Sequence, residues 1–258
     1  MTAPIRRILV GVDASPLGLA ALDAAFTLAA RLGAECDAVF VADVNLARLV
    51  SHPHVHTYSL ASARRHPVDG ATLARALELQ QATARHAHRR AAEIHRVGGA
   101  FIVRQGRVAA ELLDAAPAAD LICLGWSGRA RPGRLPRLGS TTRRLLAEAP
   151  RPVLALRHPA SGPVMALWDG SEPSRRALAI AAALAAGAVD LLIPDNDPVT
   201  VLRLEAAAQD LLAEMGATGR HRTAGRLARC LAGAAADGVL VAAGVPVDEV
   251  ACSLLAVR

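Results

Sequence analysis

The chain contains no lysine, because all 29 of its basic residues are arginine. Without a lysine ε-amine it cannot build a P-loop phosphate site, a Schiff-base intermediate or a lysine-dependent kinase site. Aromatic residues are also scarce: three Phe, two Trp and one Tyr stand among 258 residues. Base-stacking nucleic-acid readers depend on aromatic platforms, so this scarcity argues against a nucleic-acid partner.

Clustered cysteines and long apolar runs are missing as well. The four cysteines stand singly, with no Cys-x-x-Cys pair, which is typical of a reducing compartment rather than of a disulfide framework or a zinc site. The longest run without charged residues or histidine, Ala177 to Val189, has 13 residues and is too short to span a bilayer. No secretory signal is recognisable. We therefore expect a cytoplasmic protein that has no membrane contact.

Charge is divided unevenly along the chain. Residues 161–258 hold 8 arginines and 11 acidic residues, whereas residues 1–160 hold 21 arginines and 12 acidic residues. The first part therefore carries a net charge of +9 and the second −3. A basic first half favours an anionic ligand there, although solvated arginines alone would give the same total.

Short β-prone runs alternate with helical patterns through residues 1–157. The strands are expected at Ile8–Val12, Cys36–Val41, Phe101–Arg104, Leu121–Gly125 and Val153–Leu156, and the helices at Leu17–Leu32, at Ala71–Val97, from Val108 and from Ser140. Ser15 or Asp13 can cap the first helix, with Pro16 in its first turn and Gly33 at its end. This order predicts an α/β fold with a doubly wound, mostly parallel sheet. Residues 44–70 are expected to form an irregular insertion rich in His and Pro.

The pattern then begins again. The segment around Asp169-Gly170-Ser171 repeats that around Asp13-Ala14-Ser15 at an offset of 156, and the offset falls to 119 at Gly244 and to 101 at the last strand. The sequence therefore predicts two tandem, Rossmann-like open-sheet domains, 1–158 and 163–258, of which the second is truncated. A linker with Pro159 and Gly162 separates them.

The most informative stretch follows the fourth strand. Gly125-Trp126-Ser127-Gly128 leads into a loop rich in Arg, Pro and Gly, and Gly139-Ser140-Thr141 then opens a helix. Exposed backbone N–H groups and the helix dipole favour a phosphate at such a helix start, and glycine lets the backbone approach closely. Arginine side chains in the loop suit phosphate oxygens. The stretch therefore predicts an anion site beyond the carboxyl ends of the strands.

These residues resemble the signature of the universal stress protein family, Gly-x2-Gly-x9-Gly-(Ser/Thr) after the fourth strand with an Asp closing the first strand. The chain departs from it by one residue, since ten positions separate Gly128 from Gly139. One additional loop residue changes the free energy of loop closure only slightly, so we expect the phosphate contacts to be retained. The resemblance covers residues 1–157 apart from the 44–70 insertion, and more weakly 163–258.

The resemblance implies a site for ATP, which Mg²⁺ could accompany. It places Val12, Asp13 and Val41 around adenine and ribose, and Gly125, Gly128 and Arg129 along the ribose and phosphates. Gly139, Ser140 and Thr141 would hold the terminal phosphates. No catalytic residue and no metal ligand is assigned, so the expected function is nucleotide-dependent regulation of an unidentified protein partner, with slow ATP hydrolysis at most.

The second copy lacks room for the phosphate half of this site. Leu254 follows Gly244 by only ten positions, whereas Val153 follows Gly125 by 28, so we expect that residues 163–258 bind no ATP. We also expect Val153–Leu156 and Leu254–Val257 to pair antiparallel, because each would otherwise be an exposed edge. The chain would then be an intramolecular pseudo-dimer, and a homodimer is the other assembly considered.

Several alternatives stay open. Ser127 lacks the Gly-x-Ser-x-Gly spacing of a serine hydrolase, and a phosphoacceptor domain would need a lysine. Asp13 and the glycines could be only a cap and turns, leaving an interaction protein with an empty pocket. Trp126 could stack on a ligand or cover a gap in an Ala-rich core. His52, His54 and His56 could ligate a metal, although a solvated loop is the simpler interpretation.

Overall fold

The structure is a computed structural model that describes residues 5–44, 56–58, 65–67, 70–127, 138–157, 162–185 and 187–257. In the first part, the strands are β1 (Arg7–Gly11), β2 (Glu35–Asp43), β3 (His56–Tyr58), β4 (Arg65–Pro67), β5 (Phe101–Gly106), β6 (Leu121–Gly125) and β7 (Val153–Leu156). The helices are α1 (Pro16–Leu32), α2 (Gly70–His95), α3 (Val108–Ala115) and α4 (Ser140–Glu148).

The second part continues the alternation of strands and helices. It contains the strands β8 (Val164–Leu167), β9 (Ala188–Ile193), β10 (Thr218–Ala224), β11 (Val239–Ala243) and β12 (Ser253–Val257). The helices are α5 (Glu172–Leu184), α6 (Pro198–Glu214) and α7 (Leu227–Ala232). None of the helices in the described residues has the length and apolar character that a membrane crossing requires.

Ten of the strands form one sheet in the order β10-β9-β8-β11-β12-β7-β6-β1-β2-β5. All neighbours are parallel except β7 and β12, which pair antiparallel with Leu154 opposite Leu255. Each half contributes five strands to this sheet. Numbered along the chain within each half, without β3 and β4, they lie in the order fifth, fourth, first, second, third. The α/β fold with a mostly parallel sheet is confirmed, as is the antiparallel pairing of β7 with β12. The division into domains 1–158 and 163–258 stays a prediction.

Side chains alternate between the two faces of the sheet, so each face carries its own core. On one face Ile8 and Val10 belong to a cluster that also includes residues of α1, α2, α5 and α6, and on the other Leu9 belongs to a cluster that includes residues of α3 and α4. The start of α1 is the predicted one: Ser15 Oγ accepts a hydrogen bond from Gly18 N at 3.0 Å, and Gly33 ends the helix with φ +63°. Only glycine takes that left-handed conformation without cost, which explains the stop.

The insertion at 44–70 is less irregular than expected. Its described residues include β3 and β4, which pair antiparallel as a separate two-stranded sheet, with His56 opposite Pro67. His52 and His54 lie outside the described residues. Among the described residues there is no group of three or more His, Cys, Asp or Glu side chains that could hold a metal ion.

A histidine of α2, His88, is buried between two phenylalanine rings. His88 is 6 % exposed, and its ring lies 5.3 Å from that of Phe26 and 5.7 Å from that of Phe101, while Nε2 has no hydrogen-bond partner among the described residues. Burial lowers the pKa of His88, opposed by the carboxylate of Asp37 and reinforced by the neighbouring arginines 85 and 89.

Because the pKa of His88 is lower in the folded state, the unfolded chain binds a proton at this residue at a higher pH than the folded chain does. The free energy of unfolding should therefore fall as pH drops below about 6.5, the ordinary histidine pKa, and be unaffected by this group above it. We expect the His88→Phe protein to lose much of this dependence in urea titrations between pH 5 and 7.5. The same substitution at the exposed His86 is the control, and an unchanged pH profile for His88→Phe would contradict the assignment.

Candidate functional site

The turn after β1 is held by a carboxylate. Asp13 Oδ1 accepts hydrogen bonds from Ser15 N at 3.0 Å and from Ser15 Oγ at 2.6 Å, and Ser15 in turn caps α1. Between them Ala14 has φ +56°, a left-handed conformation that is costly for a residue with a Cβ. Asp13 therefore does act in the helix cap, and it does so through one oxygen only. Oδ2 has no hydrogen-bond partner in the described residues.

Beside this turn lies a cavity of about 240 Å³ at the carboxyl ends of the first-half strands. One end of it is apolar, lined by Val12 and by Val39 and Val41 of β2, with Leu112 and Leu124 beneath. Gly11 contributes by having no side chain, since a Cβ there would stand 2.5 Å from Leu124 Cδ2. This end offers a flat planar ligand a dry surface.

The other end of the cavity is polar and is built around the start of α4. Gly139 is the N-cap residue and provides no side-chain acceptor, so the first N–H groups of the helix, at Ser140, Thr141 and Thr142, lack partners within it. All three residues line the cavity together with Ser127. Thr142 Oγ1 donates to the carbonyl of Gly125 at 2.9 Å, which ties the helix start to the end of β6. This end is suited to an anion.

Glycine at the end of β6 lets the strand pack directly on α1. A Cβ at Gly125 would stand 3.0 Å from the carbonyl carbon and oxygen of Leu17, which is backbone and cannot move aside cheaply. The close approach brings the turn of Asp13 and the start of α4 to the two sides of the same cavity.

The structure brings together seven of the nine predicted site residues: Val12, Asp13, Val41, Gly125, Gly139, Ser140 and Thr141 all line the cavity. Gly128 and Arg129 lie outside the described residues. The prediction missed eight further lining residues, Gly11, Gly18, Val39, Val108, Leu112, Leu124, Ser127 and Thr142. Two of these had a signal in the sequence. Val39 precedes Val41 by two residues on a strand and so shares its face, and Thr142 continues the first helical turn.

In the second half the corresponding turn is present. Asp169 Oδ1 accepts from Ser171 N at 2.9 Å, and Gly170 takes the left-handed conformation that Ala14 takes in the first half, with φ +80°. Burial raises the pKa of Asp169, but hydrogen bonds from Ser171 and Ser174 outweigh it, so the pKa lies below its usual value.

The surroundings of that second turn differ. Trp168 stands where the first half has Val12, is 1 % exposed, and donates from Nε1 to the carbonyl of Leu204 at 2.7 Å. Between β11 and β12 there is one 3-10 turn, Val247–Glu249, in place of the α4 helix. The bulky indole is therefore buried against α6 at the position of Val12. The helix start that makes the polar side has no counterpart in the described residues.

Comparisons with known proteins agree with the fold. The family model described as "Universal stress protein family" matches residues 4–157. Among curated proteins, none matches the chain significantly. A universal stress protein structure from Archaeoglobus fulgidus is 14% identical, with a TM-score of 0.66 over 97% of both chains.

Two further structures are similar. A putative universal stress protein from Pseudomonas aeruginosa is 17% identical, with a TM-score of 0.52 over 98% of this chain and 92% of that chain. A universal stress protein described as being in complex with cAMP is 21% identical, with a TM-score of 0.40 over 60% of this chain and 98% of that chain. The family match covers more than half of the chain and includes the strand ends and the helix start that line the cavity. The chain therefore belongs to the universal stress protein family.

Proposed function

We propose that the cavity binds an adenine nucleotide, ATP, and that the protein is a nucleotide-dependent regulatory module of the stress response. The observation that carries this proposal is the division of one cavity into an apolar end and a polar end. A purine suits Val12 and the valines of β2. Phosphates suit the free N–H groups at the start of α4 and the hydroxyls of Ser140 and Thr141. The net charge of +9 on residues 1–160 favours the same anionic ligand.

The chemistry of the wall favours binding over rapid turnover. Asp13 is the one titratable side chain among the described residues that line the cavity, and its Oδ1 is already engaged by Ser15. Among the described residues of the wall, a water molecule would find no base other than this one carboxylate. Mg²⁺ accompanying the nucleotide would be held mainly by phosphate oxygens and water, because the described wall offers a single carboxylate.

One nucleotide per chain is the expected stoichiometry. In the second half a buried tryptophan, Trp168, stands in the position of Val12, and a 3-10 turn stands in the place of the helix that would meet phosphate. Isothermal titration of the full chain with ATP should therefore fit a single site, and mass spectrometry of small molecules released on denaturation should find an adenine nucleotide. Two equivalent sites would contradict the account of the second half. No binding and no released nucleotide would favour the interaction protein with an empty pocket.

The two Asp turns provide a matched pair for testing the ligand role of Asp13. Both Asp13→Ala and Asp169→Ala remove a carboxylate that orders a helix start, so both should lower the free energy of unfolding by about 1 kcal/mol. Only Asp13→Ala should weaken ATP binding, by about tenfold, or about 1.4 kcal/mol. Titration calorimetry and urea unfolding of the two variants separate the effects. Equal ATP affinity in both would mean that Asp13 serves only as a cap.

A further inference from the structure

Trp126 connects the polar end of the cavity to the second half of the chain. It follows β6 directly, and its backbone N–H donates to Leu156 at the end of β7 at 2.7 Å. Its carbonyl accepts a hydrogen bond from Gly139 N at 2.9 Å. Gly139, the N-cap residue of α4, is therefore bonded directly to the backbone of Trp126. The position of this one residue therefore sets where the free N–H groups of Ser140 to Thr142 begin.

The indole of Trp126 points away from the cavity into a core formed mainly by the second half. It is 1 % exposed, and the cluster that contains it includes Met165, Leu240 and Leu254. Two leucines of the first half also pack against this cluster: Leu138, two residues before α4, and Leu146, within α4. The second half has no α helix between β11 and β12, the interval in which the first half has α4. Trp126 packs on that face of the sheet, together with residues of α7 and of the turn between β11 and β12.

Arg157 packs against the indole of Trp126. Its guanidinium lies 3.9 Å from the centroid of the Trp126 ring, and burial lowers its pKa. Its backbone N–H donates to Ser253 Oγ, at the start of β12, at 3.1 Å. The residue that stacks on the indole is thus itself bound to the second half. A stacked guanidinium restricts the rotamers of the indole as well as contributing a cation–π interaction.

We propose that Trp126 is a positioning residue through which the second half holds the polar end of the cavity in place. The second half then has a defined role although it lacks a helix start of its own. The core of the second half that contains Trp126 fixes the position of the start of α4. Substitutions that create cavities in this core should therefore increase the mobility of the polar end of the cavity in the first half. The consequence for ATP affinity rests on the proposed function, whereas the consequence for the order of α4 does not.

The first test measures hydrogen exchange of the full-length protein without nucleotide. In Trp126→Leu, amides in a peptide covering residues 138–146 should exchange at least tenfold faster than in the parent protein. Trp168→Leu is the matched control, because Trp168 is equally buried and lies in the other core of the second half. Equal protection of residues 138–146 in the two variants would overturn the proposal.

A second pair of variants serves if Trp126→Leu does not fold. Leu240→Ala and Leu191→Ala each truncate a fully buried leucine of the second half and leave a cavity in its place. Only Leu240 lies in the core that contains Trp126. Leu240→Ala should accelerate exchange at residues 138–146, and Leu191→Ala should leave those amides protected. Acceleration by both or by neither would mean that the second half does not act through this core.

Nucleotide binding gives a separate readout. With Trp168→Phe, Trp126 is the single tryptophan of the chain, and ATP should change its emission. If the parent protein binds ATP but Trp126→Leu binds it equally well, the positioning role is wrong. If the parent protein binds no ATP and exchange at 138–146 still depends on Trp126, the proposed function fails and the positioning role stands.

Discussion

Deletion of residues 253–258 should convert the protein into aggregates or strand-exchanged dimers. Strand β12 lies inside the ten-stranded sheet, parallel to β11 and antiparallel to β7, so its removal opens two edges at once. It also removes Leu254 and Leu255, neither of which is exposed at all. Loss of each buried leucine costs roughly 2–5 kcal/mol, against a total stability of about 5–15 kcal/mol. Size-exclusion chromatography and thermal unfolding measure both consequences.

A milder pair of variants checks that the joint between β7 and β12 is responsible. Leu255→Asp places a carboxylate opposite Leu154 in the middle of this joint, whereas Val103→Asp places one on the outer strand β5, where Val103 is 41 % exposed. Only the first should cause association. If the deletion protein stays monodisperse and melts at the temperature of the full chain, the joint does not hold the halves together.

Gly139→Val should abolish detectable ATP binding while the fold persists. Gly139 has φ −64° and ψ 148°, an extended conformation that any residue adopts and that valine prefers. The branched side chain would enter the cavity wall where phosphates must approach the N–H groups of Ser140 and Thr141. Titration calorimetry should show affinity reduced by at least 100-fold, or about 2.7 kcal/mol.

Gly98→Val is the matched control for this substitution. A Cβ at Gly98 meets no atom within 4 Å, and the residue lies at the other end of the strands, before β5. Both variants should keep the circular dichroism spectrum of the parent protein. Unchanged affinity in Gly139→Val would mean that no phosphate lies at the start of α4.

Local signals were sufficient to predict most of the elements that form the site. The cap at Ser15, the stop at Gly33 and the helix start at Ser140 all depend on residues within one turn, and the structure has each of them. The pairing of β7 with β12 was also predictable, because two short apolar strands without partners would have been exposed edges.

Features that depend on distant contacts were not predictable. The hairpin of β3 and β4 has three residues in each strand and includes Pro67, so neither strand alternates long enough to be recognised. Trp126 could have faced a ligand or a core. Its placement depends on a gap left by the second half, and no residue near it in the sequence indicates that gap. Ser127 was missed as a lining residue for the same reason.

The antiparallel joint has a consequence for synthesis of the protein. Strand β7 ends at Leu156 and its partner β12 begins at Ser253, so the ribosome must translate residues 157–252 between them. At about 5–20 residues per second this takes roughly 5–20 s. Throughout that interval β7 of the nascent first half is paired with β6 on one side only, so its other side is an exposed apolar edge. The long sequence separation also makes the joint a late, slow step in refolding. Dilute conditions or a chaperone that covers β7 should therefore raise the yield of native protein.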